Sequence, residues 1–459
     1  MLSKLLMPEI ESLIAERKLS ILKEILSDWT PADIADLIVD LPEQDKVIVF
    51  RVLPADLATD TFEHLEFDTQ EELLKAMGNE EVASILNDMS PDDRTALLEE
   101  LPGNTAKRLI QLLSAEERKI AQKLLGYPEN SVGRLMTPDY IAVKQDWTVS
   151  ETLDYIRKNG EDKETLNVIY IVDDKGKLID DIRIREIILS PLERNISDLM
   201  DENFTALNVH DDQETAVELF KKYDRVALPV VDNHGILIGI VTVDDVLDVA
   251  EEEATEDIQK QAAVEVLDEP YSTIPLLKMV KKRGGWLSIL FIGEMFTASA
   301  MAVFEDEIAK AVVLALFVPL IISSGGNSGS QAATLVVRAM ALGEVTIKDW
   351  FRVIRRELFT GLSLGLILAT IGFIRIFIWQ TASHLYGDYW FEVAITVSIS
   401  LVGVVLWGTI TGSMLPFLLK RLGFDPASSS APFVATLVDV TGIVIYFTVA
   451  MFILSGKLL

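Results

Sequence analysis

Five long apolar stretches in the carboxyl-terminal part of the chain constrain its fold more than any other feature. They lie at roughly 286–304, 312–340, 358–383, 390–419 and 431–456. About 20 apolar residues form a helix that is long enough to cross the hydrocarbon core of a bilayer. The sequence therefore predicts five membrane-spanning helices within residues 284–459.

Basic residues flank these stretches on alternate sides and predict how the chain crosses the membrane. The basic flanks are Lys281, Lys282, Arg283, Arg338, Lys348, Arg352, Arg355, Arg356, Lys420 and Arg421. The other loops, "FEDEIAK" and "SHLYGDYW", are acidic or neutral. Because cytosolic loops carry the excess of Lys and Arg, we expect a cytosolic amino terminus, an external carboxyl terminus and a multi-pass plasma-membrane protein (the inner membrane in a bacterium).

Acidic charge is concentrated before the first span. Residues 284–459 carry 10 Lys or Arg and 11 Asp or Glu, so the remaining 31 basic and 60 acidic residues lie in 1–283. The amino-terminal "MLSKLLMPEIESLI" contains no uninterrupted apolar core, so we expect no secretory signal. An acidic cytosolic part of this kind repels nucleic acid and attracts cations; a role in solubility alone is the alternative.

The residue inventory argues against an enzyme. The chain has no cysteine, its four histidines are scattered, and no HExxH pair is present. Thiolate metal sites, disulfides and zinc hydrolase chemistry are therefore not expected. No pairing of a nucleophile with a base stands out, so we predict a protein without enzymatic activity.

The first 131 residues predict a helical repeat. The segment "DIADLIVDLPEQDKVIVFRVLP" begins at Asp33, and "EVASILNDMSPDDRTALLEELP" begins 48 residues later at Glu81. Repeated helical units that cannot bury a face alone stack into a solenoid. We therefore expect residues 1–131 to form a helical-repeat domain.

Residues 132–250 predict two α/β modules. The segments "NVIYIVDDKGKLIDDIRIREII" and "ALPVVDNHGILIGIVTVDDVL" both indicate a strand, a turn, a strand and a helix. The tandem resembles a pair of CBS modules, which often bind adenosyl nucleotides. The second copy matches the family pattern through Gly239, Thr242 and Asp245, so the resemblance implies that Thr242 and Asp245 bind a nucleotide such as ATP. The first copy departs from this pattern, with Asp180, Arg183 and Glu186.

An acidic stripe connects the second module to the membrane part. If "VDDVLDVAEEEATEDIQKQAAV" is one helix, Asp244, Asp248, Glu252 and Glu256 lie at successive i,i+4 positions. Like charges at this spacing destabilise a helix, and carboxylates without thiols or imidazoles suit magnesium or calcium. We assign 251–283 to an acidic connecting helix and its linker; a merely solvated acidic face is the alternative.

Polar residues inside the apolar stretches are candidates for an ion pathway. Asp439 lies inside the last span, and a carboxylate at the centre of a bilayer costs about 2.5–3.5 kcal/mol on insertion scales. The alternative explanations are pairing with Arg375 and burial in the protonated form. In the second span, Asn327 and Gln331 are four residues apart and share a face if the helix is regular. Pro319 and "SSGGNSG" argue against a regular helix, and backbone carbonyls exposed there would help to line a pore. Glu294 in the first span is a second carboxylate at membrane depth.

Glycine pairs four residues apart occur in three of the spans. They lie in "GGNSG", "GLSLG" and "GTITG" and let helices approach closely. Ordinary helix packing is the expected role of the last two.

The order of these parts resembles the MgtE family of magnesium channels over essentially the full length. The most specific matches are "SGGNSGSQAATLVVRAMALGEV", "ATLVDVTG" and "VTVDDVLDVAEEEATEDI". The resemblance implies a homodimer with one pore on its axis, Asp439 as the carboxylate that holds hydrated Mg²⁺, and closure when Mg²⁺ fills cytosolic sites. The implied cytosolic ligands are Glu214, Asp224, Asp245, Asp248, Glu253, Glu256, Asp257, Asp88 and Asp92.

The sequence thus predicts a multi-domain α-helical membrane protein. Its parts are a cytosolic helical-repeat domain, an α/β tandem CBS domain, an acidic connecting helix and five transmembrane helices. The expected partners are Mg²⁺, a second copy of the chain and the lipid bilayer. A channel for Mn²⁺ or Co²⁺ and a Mg²⁺-sensing scaffold that does not conduct are the alternatives.

Overall fold

A computed structural model describes residues 2–267, 271–272 and 274–456, without the side chains of residues 2–4. The chain divides into two compact units, Met1–Glu251 and Glu252–Leu459, which are described separately below. The linker predicted within 251–283 includes residues 268–270 and 273, which lie outside the described residues.

The first unit begins with a row of short helices. Their bounds are α1 Leu2–Ala15, α2 Leu19–Leu26, α3 Pro31–Asp40, α4 Glu43–Val52, α5 Ala55–Glu63, α6 Phe67–Ala76, α7 Asn79–Asp88, α8 Pro91–Glu100, α9 Gly103–Leu112 and α10 Ala115–Leu124. The two predicted repeats fall on α3–α4 and on α7–α8. Alternate helices contact each other, α3 with α5, α5 with α7 and α7 with α9, so they stack as in a solenoid.

The motifs "TP" and "SP" explain where two of these helices begin. Pro31 and Pro91 each occupy the first helical position, where the missing N–H has no helical partner to lose. At α3 the Thr30 hydroxyl also accepts a hydrogen bond from the Asp33 N–H at 3.3 Å. These prolines therefore set the start of α3, the first helix of one repeat, and of α8, the second helix of the other.

Two three-stranded sheets follow, as the strand and turn pattern predicts. The elements are α11 Val132–Leu135, β1 Ala142–Lys144, α12 Val149–Asn159, β2 Val168–Val172, β3 Leu178–Arg183, α13 Ile184–Ile188, β4 Leu207–Asn208, α14 Gln213–Tyr223, β5 Ala227–Val231 and β6 Leu237–Thr242. In each sheet the first two strands are parallel and the last two are antiparallel. Gly176 and Gly235 have φ of +81° and +79° at the two hairpin turns, a conformation that favours glycine.

The two sheets pack together through one apolar core. Val168 and Tyr170 of β2 share this core with Leu237 and Ile240 of β6. The tandem modules therefore form a pair within the first unit.

The acidic stripe forms one helix, α15 Val243–Gln261. The helix starts directly after β6, so Asp244 and Asp245 lie in its first turn. Carboxylates at this end interact favourably with the helix dipole. The i,i+4 arrangement assumed from the sequence is therefore correct, although α15 begins before the predicted linker.

The second unit contains five helices that are long and apolar enough to cross a membrane. The helices of this part are α16 Leu276–Val303, α17 Glu305–Lys310, α18 Val312–Ala315, α19 Val318–Ala341, α20 Trp350–Ser383, α21 Trp390–Arg421 and α22 Ala431–Leu454. The short helix α18 and α19 together make the second span. The prediction of five spans is confirmed.

The expected irregularity of the second span is present directly before Pro319, where residues 316–317 separate α18 from α19, but it is wrong for the "SSGGNSG" run. The helix α19 is continuous from Val318 to Ala341, and Pro319 lies in its first turn. A proline there removes no helical hydrogen bond. The "SSGGNSG" run stays helical because its glycines let α19 approach its neighbours closely.

Glycines on α19 and α21 face each other and hold the two helices together. A Cβ at Gly408 or Gly412 would overlap the carbonyl oxygen of Gly325 or Gly329, respectively. On α20, a Cβ at Gly365 would lie 2.9 Å from the Cα of Val402. The packing role expected of "GLSLG" and "GTITG" is therefore confirmed, and "GGNSG" shares it.

We expect Gly412→Ala to destabilise the membrane unit by about 3 kcal/mol, because the new methyl group has no space beside the Gly329 carbonyl. Thermal unfolding of the purified full-length protein in detergent would measure the loss. The matched control is Gly284→Ala, since nothing lies within 4 Å of a Cβ at that position. Equal melting temperatures for both variants would contradict the close approach of α19 and α21.

Candidate functional site

Asp439 lies on α22 beside a glycine of α19. It is half-buried, about 12 Å along the helix axis from the first residue of α22. An added Cβ at Gly326 would lie 3.6 Å from Oδ1 of Asp439 and 3.5 Å from the Cα of Ala435. Gly326 therefore leaves space beside the carboxylate.

The charged neighbour of Asp439 is another acid rather than Arg375. Arg375 donates to the Tyr386 hydroxyl at 3.3 Å and stacks over the ring of Trp379 at 5.6 Å. Glu294 of α16 contacts the Asp439 carboxyl group instead. Two carboxyl groups in contact at membrane depth repel each other when both are ionised, so a cation or a proton stabilises the pair.

A polar stripe on α19 lies on the same helix as Gly326. Ser323, Asn327 and Gln331 are exposed at successive i,i+4 positions, and Asn327 Nδ2 lies 3.5 Å from Ser323 Oγ. Polar faces of spanning helices seldom meet lipid and usually line a water-filled cavity or an interface. The structure thus places Asn327 and Gln331 on one face, as predicted.

The first span is the least buried helix of this unit. None of its described residues is buried, although Gly293 packs closely against Thr436 of α22. Glu294 is exposed and lies next to this contact. The carboxyl groups of Glu294 and Asp439 therefore meet where α16 crosses α22.

An acidic cluster lies in the first unit, between the helical repeat and the CBS pair. We define it as Asp92, Asp93, Glu164, Asp244, Asp245 and Asp248. Asp92 at the start of α8 is buried, and its Oδ1 has no hydrogen-bond partner among the described residues. Asp245, Asp93 and Glu164 are its charged neighbours. Glu164, Asp244 and Asp248 are exposed, so solvent ions reach the rim of the cluster.

Burial and mutual repulsion disfavour ionised carboxylates in this cluster. Burial raises the pKa of Asp92 well above its usual range, and the Asp245 charge adds to this effect. Burial also raises the pKa of Asp245 to about 7, although the Thr242 hydroxyl donates to its Oδ2 at 2.7 Å and opposes the shift. The compact arrangement therefore requires protons or cations at neutral pH.

We expect the first unit to lose stability as pH rises from about 5 to 8 in a chelator. The folded state keeps a proton on Asp245 up to about pH 7, whereas the unfolded chain releases it near pH 4. Stability therefore falls as pH rises through this window and then levels off. The loss should be about 1–2 kcal/mol, since Asp245 is only partly shielded from solvent.

Limited proteolysis of the full-length protein at each pH would measure this loss. Added Mg²⁺ should reduce the pH dependence, and the Asp92→Asn/Asp245→Asn variant should nearly abolish it. Protease resistance that stays constant or increases from pH 5 to 8 would contradict the prediction.

Other predicted ligands in the first unit lie apart from this cluster. Glu214 and Asp224 lie at opposite ends of α14, about 15 Å apart along its axis. Asp88 is exposed at the end of α7, where the Ser84 hydroxyl lies 3.4 Å from its carboxylate. Among the described residues, no group of three or more His, Cys, Asp or Glu side chains is arranged to hold one ion. Magnesium keeps several of its waters, so it needs few direct protein ligands.

A second acidic group lies in the other unit, near the end of α15. It contains the predicted ligands Glu256 and Asp257, with Asp425 from the loop before α22. The negative charge of the predicted ligand Glu253 also raises the pKa of Asp257. Burial raises the pKa of Asp257, and the Asp425 charge adds to the increase.

Sequence reasoning missed several of these residues. Asp93 directly follows the predicted ligand Asp92, so the acidic pair "DD" was a usable signal. Asp244 was named in the acidic stripe but not among the implied ligands. Glu164 and Asp425 carry no local signal, because only the fold brings them to the other carboxylates. Gly326 was not singled out, because the pair noted in "GGNSG" is Gly325 and Gly329.

Comparisons with known proteins agree with this architecture. The model of the MgtE divalent cation transporter family matches residues 318–449, that of the MgtE intracellular N domain matches 29–130, and CBS domains match 132–192 and 196–252. The magnesium transporter MgtE of Thermus thermophilus is 37% identical over 438 residues, 95% of both chains. The chain belongs to the MgtE family. The magnesium transporter MgtE of Bacillus subtilis is 31% identical over 95% of both chains.

Two solved structures of magnesium-transport proteins match about half of this chain. The cytosolic domain of the Mg²⁺ channel MgtE in complex with ATP aligns with a TM-score of 0.51 at 34% identity, over 52% of this chain and 98% of that one. The soluble part of a magnesium transporter aligns with a TM-score of 0.52 at 26% identity, over 55% of this chain and 99% of that one.

Proposed function

We propose that this MgtE family member is a homodimeric channel that conducts Mg²⁺ into the cell and closes when cytosolic Mg²⁺ is high. The observation that carries the proposal is the position of Asp439, a carboxylate at membrane depth. It lies beside Gly326 of α19, the helix that carries the exposed polar stripe. The names of the full-length relatives, both magnesium transporters, support Mg²⁺ as the ion.

The pore chemistry follows from the way Mg²⁺ holds its water. The ion dehydrates reluctantly, so a pore that passes it with water needs acceptors for water hydrogens rather than a full ligand cage. Asp439 supplies the charge and two such acceptors. Asn327 and Gln331 supply amide groups on the exposed face of α19. The two copies of each residue in a dimer would surround one axial path, with Glu294 as a further acidic group.

The acidic cluster suits a sensor that responds to the same ion. It contains a buried carboxylate oxygen without a partner in the described structure and an exposed acidic rim. A cation that binds here offsets repulsion between α8 and the start of α15. The ion closes the channel only if it binds the compact state more tightly than the expanded state. Asp92, Asp245 and Asp248 are the ligands that we propose in this cluster.

The remaining predicted sensor ligands are proposed for separate ions. Glu253, Glu256 and Asp257 lie on the second half of α15, while Glu214, Asp224 and Asp88 are distributed over the first unit. The separation of Glu214 from Asp224 along α14 means that one ion cannot bind both within one chain. A second copy of the chain would have to complete such a site.

ATP is proposed as a ligand of the CBS pair. The support is a related cytosolic domain solved in complex with ATP. Thr242 and Asp245 were predicted to contact the nucleotide, yet their side chains hydrogen-bond to each other and Asp245 faces Asp92. A nucleotide at these residues would therefore compete with the acidic cluster for Asp245.

Ion flux into proteoliposomes would test the proposal. We expect Mg²⁺ entry that depends on the protein, with Mn²⁺ and Co²⁺ as competitors added at equal concentration. Preferred uptake of Mn²⁺ or Co²⁺ would assign the channel to another divalent ion. Protein-dependent binding of Mg²⁺ without uptake would favour the scaffold alternative, in which Asp439 has no evident role.

A further inference from the structure

One basic side chain connects α15 to the loop before α22. Lys260 Nζ donates a hydrogen bond to Asp425 Oδ2 at 2.7 Å and forms an ion pair with Glu256, one turn earlier on α15. Asp425 caps the short turn Pro426–Ser428, which leads into α22. The ammonium group therefore connects the acidic helix to the segment that begins the Asp439 helix.

Lys260 is surrounded by more negative charge than it neutralises. Asp257 interacts with both Asp425 and Lys260, so three carboxylates act on one ammonium group. The side chains are only partly exposed, 29% for Lys260 and 38% for Asp425. An ammonium group presents three hydrogen-bond donors and no acceptor. The water shell of a Mg²⁺ ion likewise directs only hydrogen-bond donors outward. The two cations therefore suit the same carboxylate oxygens.

The end of α15 is also held by contacts that need no ion. Gln259 Oε1 accepts a hydrogen bond from the Leu267 N–H at 2.7 Å, and Lys282 Nζ donates to the Val266 carbonyl at 2.6 Å. The chain after α15 therefore lies against the start of α16. These contacts hold the end of α15, which carries Lys260, near the start of α16.

We propose that Lys260 is a resident cation that occupies the acidic junction between α15 and the α21–α22 loop and competes with Mg²⁺ for it. The proposal deepens the sensor role, since it rests on Mg²⁺ binding to α15 carboxylates. While Lys260 occupies the junction, Mg²⁺ must displace its ammonium group to reach Asp257 and Asp425. Lys260 therefore raises the Mg²⁺ concentration at which the junction fills.

Amine labelling of the full-length wild-type protein in detergent tests the displacement directly. A lysine-acylating reagent and mass spectrometry would report the modification rate of Lys260, with the exposed Lys281 as an internal control. We expect Mg²⁺ to increase the Lys260 rate by about threefold or more relative to chelator, as the loss of a partly exposed ion pair predicts. A potassium salt of equal ionic strength should not reproduce the increase. A Lys260 rate that is unchanged or lower with Mg²⁺ would overturn the proposal.

The consequence for transport is tested with Lys260→Gln, Lys260→Arg and, as the charge-matched control, Lys281→Gln. We expect Lys260→Gln to lower the Mg²⁺ concentration that halves flux by about threefold, while Lys260→Arg and Lys281→Gln stay near the wild type. An unchanged value in Lys260→Gln would overturn the proposal. If the wild-type protein carries no Mg²⁺, the proposed channel function fails, and the labelling experiment still decides the role of Lys260.

Discussion

Replacing Asp439 with alanine or asparagine should abolish Mg²⁺ flux through the proposed channel, while the protein still inserts and assembles as the wild type does. Asparagine keeps the size of the side chain beside Gly326 but removes the charge that attracts the ion. Losing a full charge at membrane depth should reduce flux by at least about 100-fold, because several kcal/mol of ion stabilisation is lost.

The measurement is initial Mg²⁺ uptake in proteoliposomes that contain equal amounts of each variant. Asp388→Ala is the control, since this acidic residue is exposed outside the long helices. Size-exclusion chromatography would verify that the Asp439 variants assemble as the wild type does. Wild-type uptake by Asp439→Asn would exclude this carboxylate as the pore site.

Neutralising the exposed side of the acidic cluster should remove most of the response to internal Mg²⁺. In the variant Glu164→Gln/Asp244→Asn/Asp248→Asn, the cluster loses its exposed carboxylates, including the proposed ligand Asp248. Mg²⁺ then distinguishes the compact from the expanded state much less. Open probability should therefore change little between zero Mg²⁺ and concentrations that shut the wild type. Single-channel conductance should be unchanged, because Asp439 lies in the other unit.

Patch recordings of open probability against internal Mg²⁺ would measure this response. The control variant Asp146→Asn/Glu161→Gln/Asp162→Asn changes the net charge equally at exposed positions outside the cluster. If the cluster variant and the wild type give overlapping curves, the cluster is a solvated acidic surface and the sensor lies elsewhere. If both triple variants lose the response, net charge alone sets the gating.

The sequence predicted those features that depend on local chemistry. The five spans follow from apolar length, the CBS modules from alternating strands with turn glycines, and α15 from its uninterrupted polar helix pattern. Asp439 was identifiable because a carboxylate inside an apolar stretch has a cost that some function must offset.

The features that sequence reasoning missed depend on distant parts of the chain meeting. Asp425 lies 165 residues after Lys260, and nothing in either local sequence indicates their hydrogen bond. Glu294 was noted as a second carboxylate, but its contact with Asp439 requires knowing where α16 crosses α22. The regularity of α19 was misjudged because a proline was weighed without its position in the first turn.

The glycine contacts between α19 and α21 also restrict which helices of the membrane unit can move. Carbonyl oxygens of α19 fit against Gly408 and Gly412, so a rotation or sliding of either helix would drive backbone into backbone. These two helices therefore form a fixed frame within the membrane unit. In the proposed channel, a gating movement would fall to α16, which buries none of its described residues and whose Glu294 contacts Asp439.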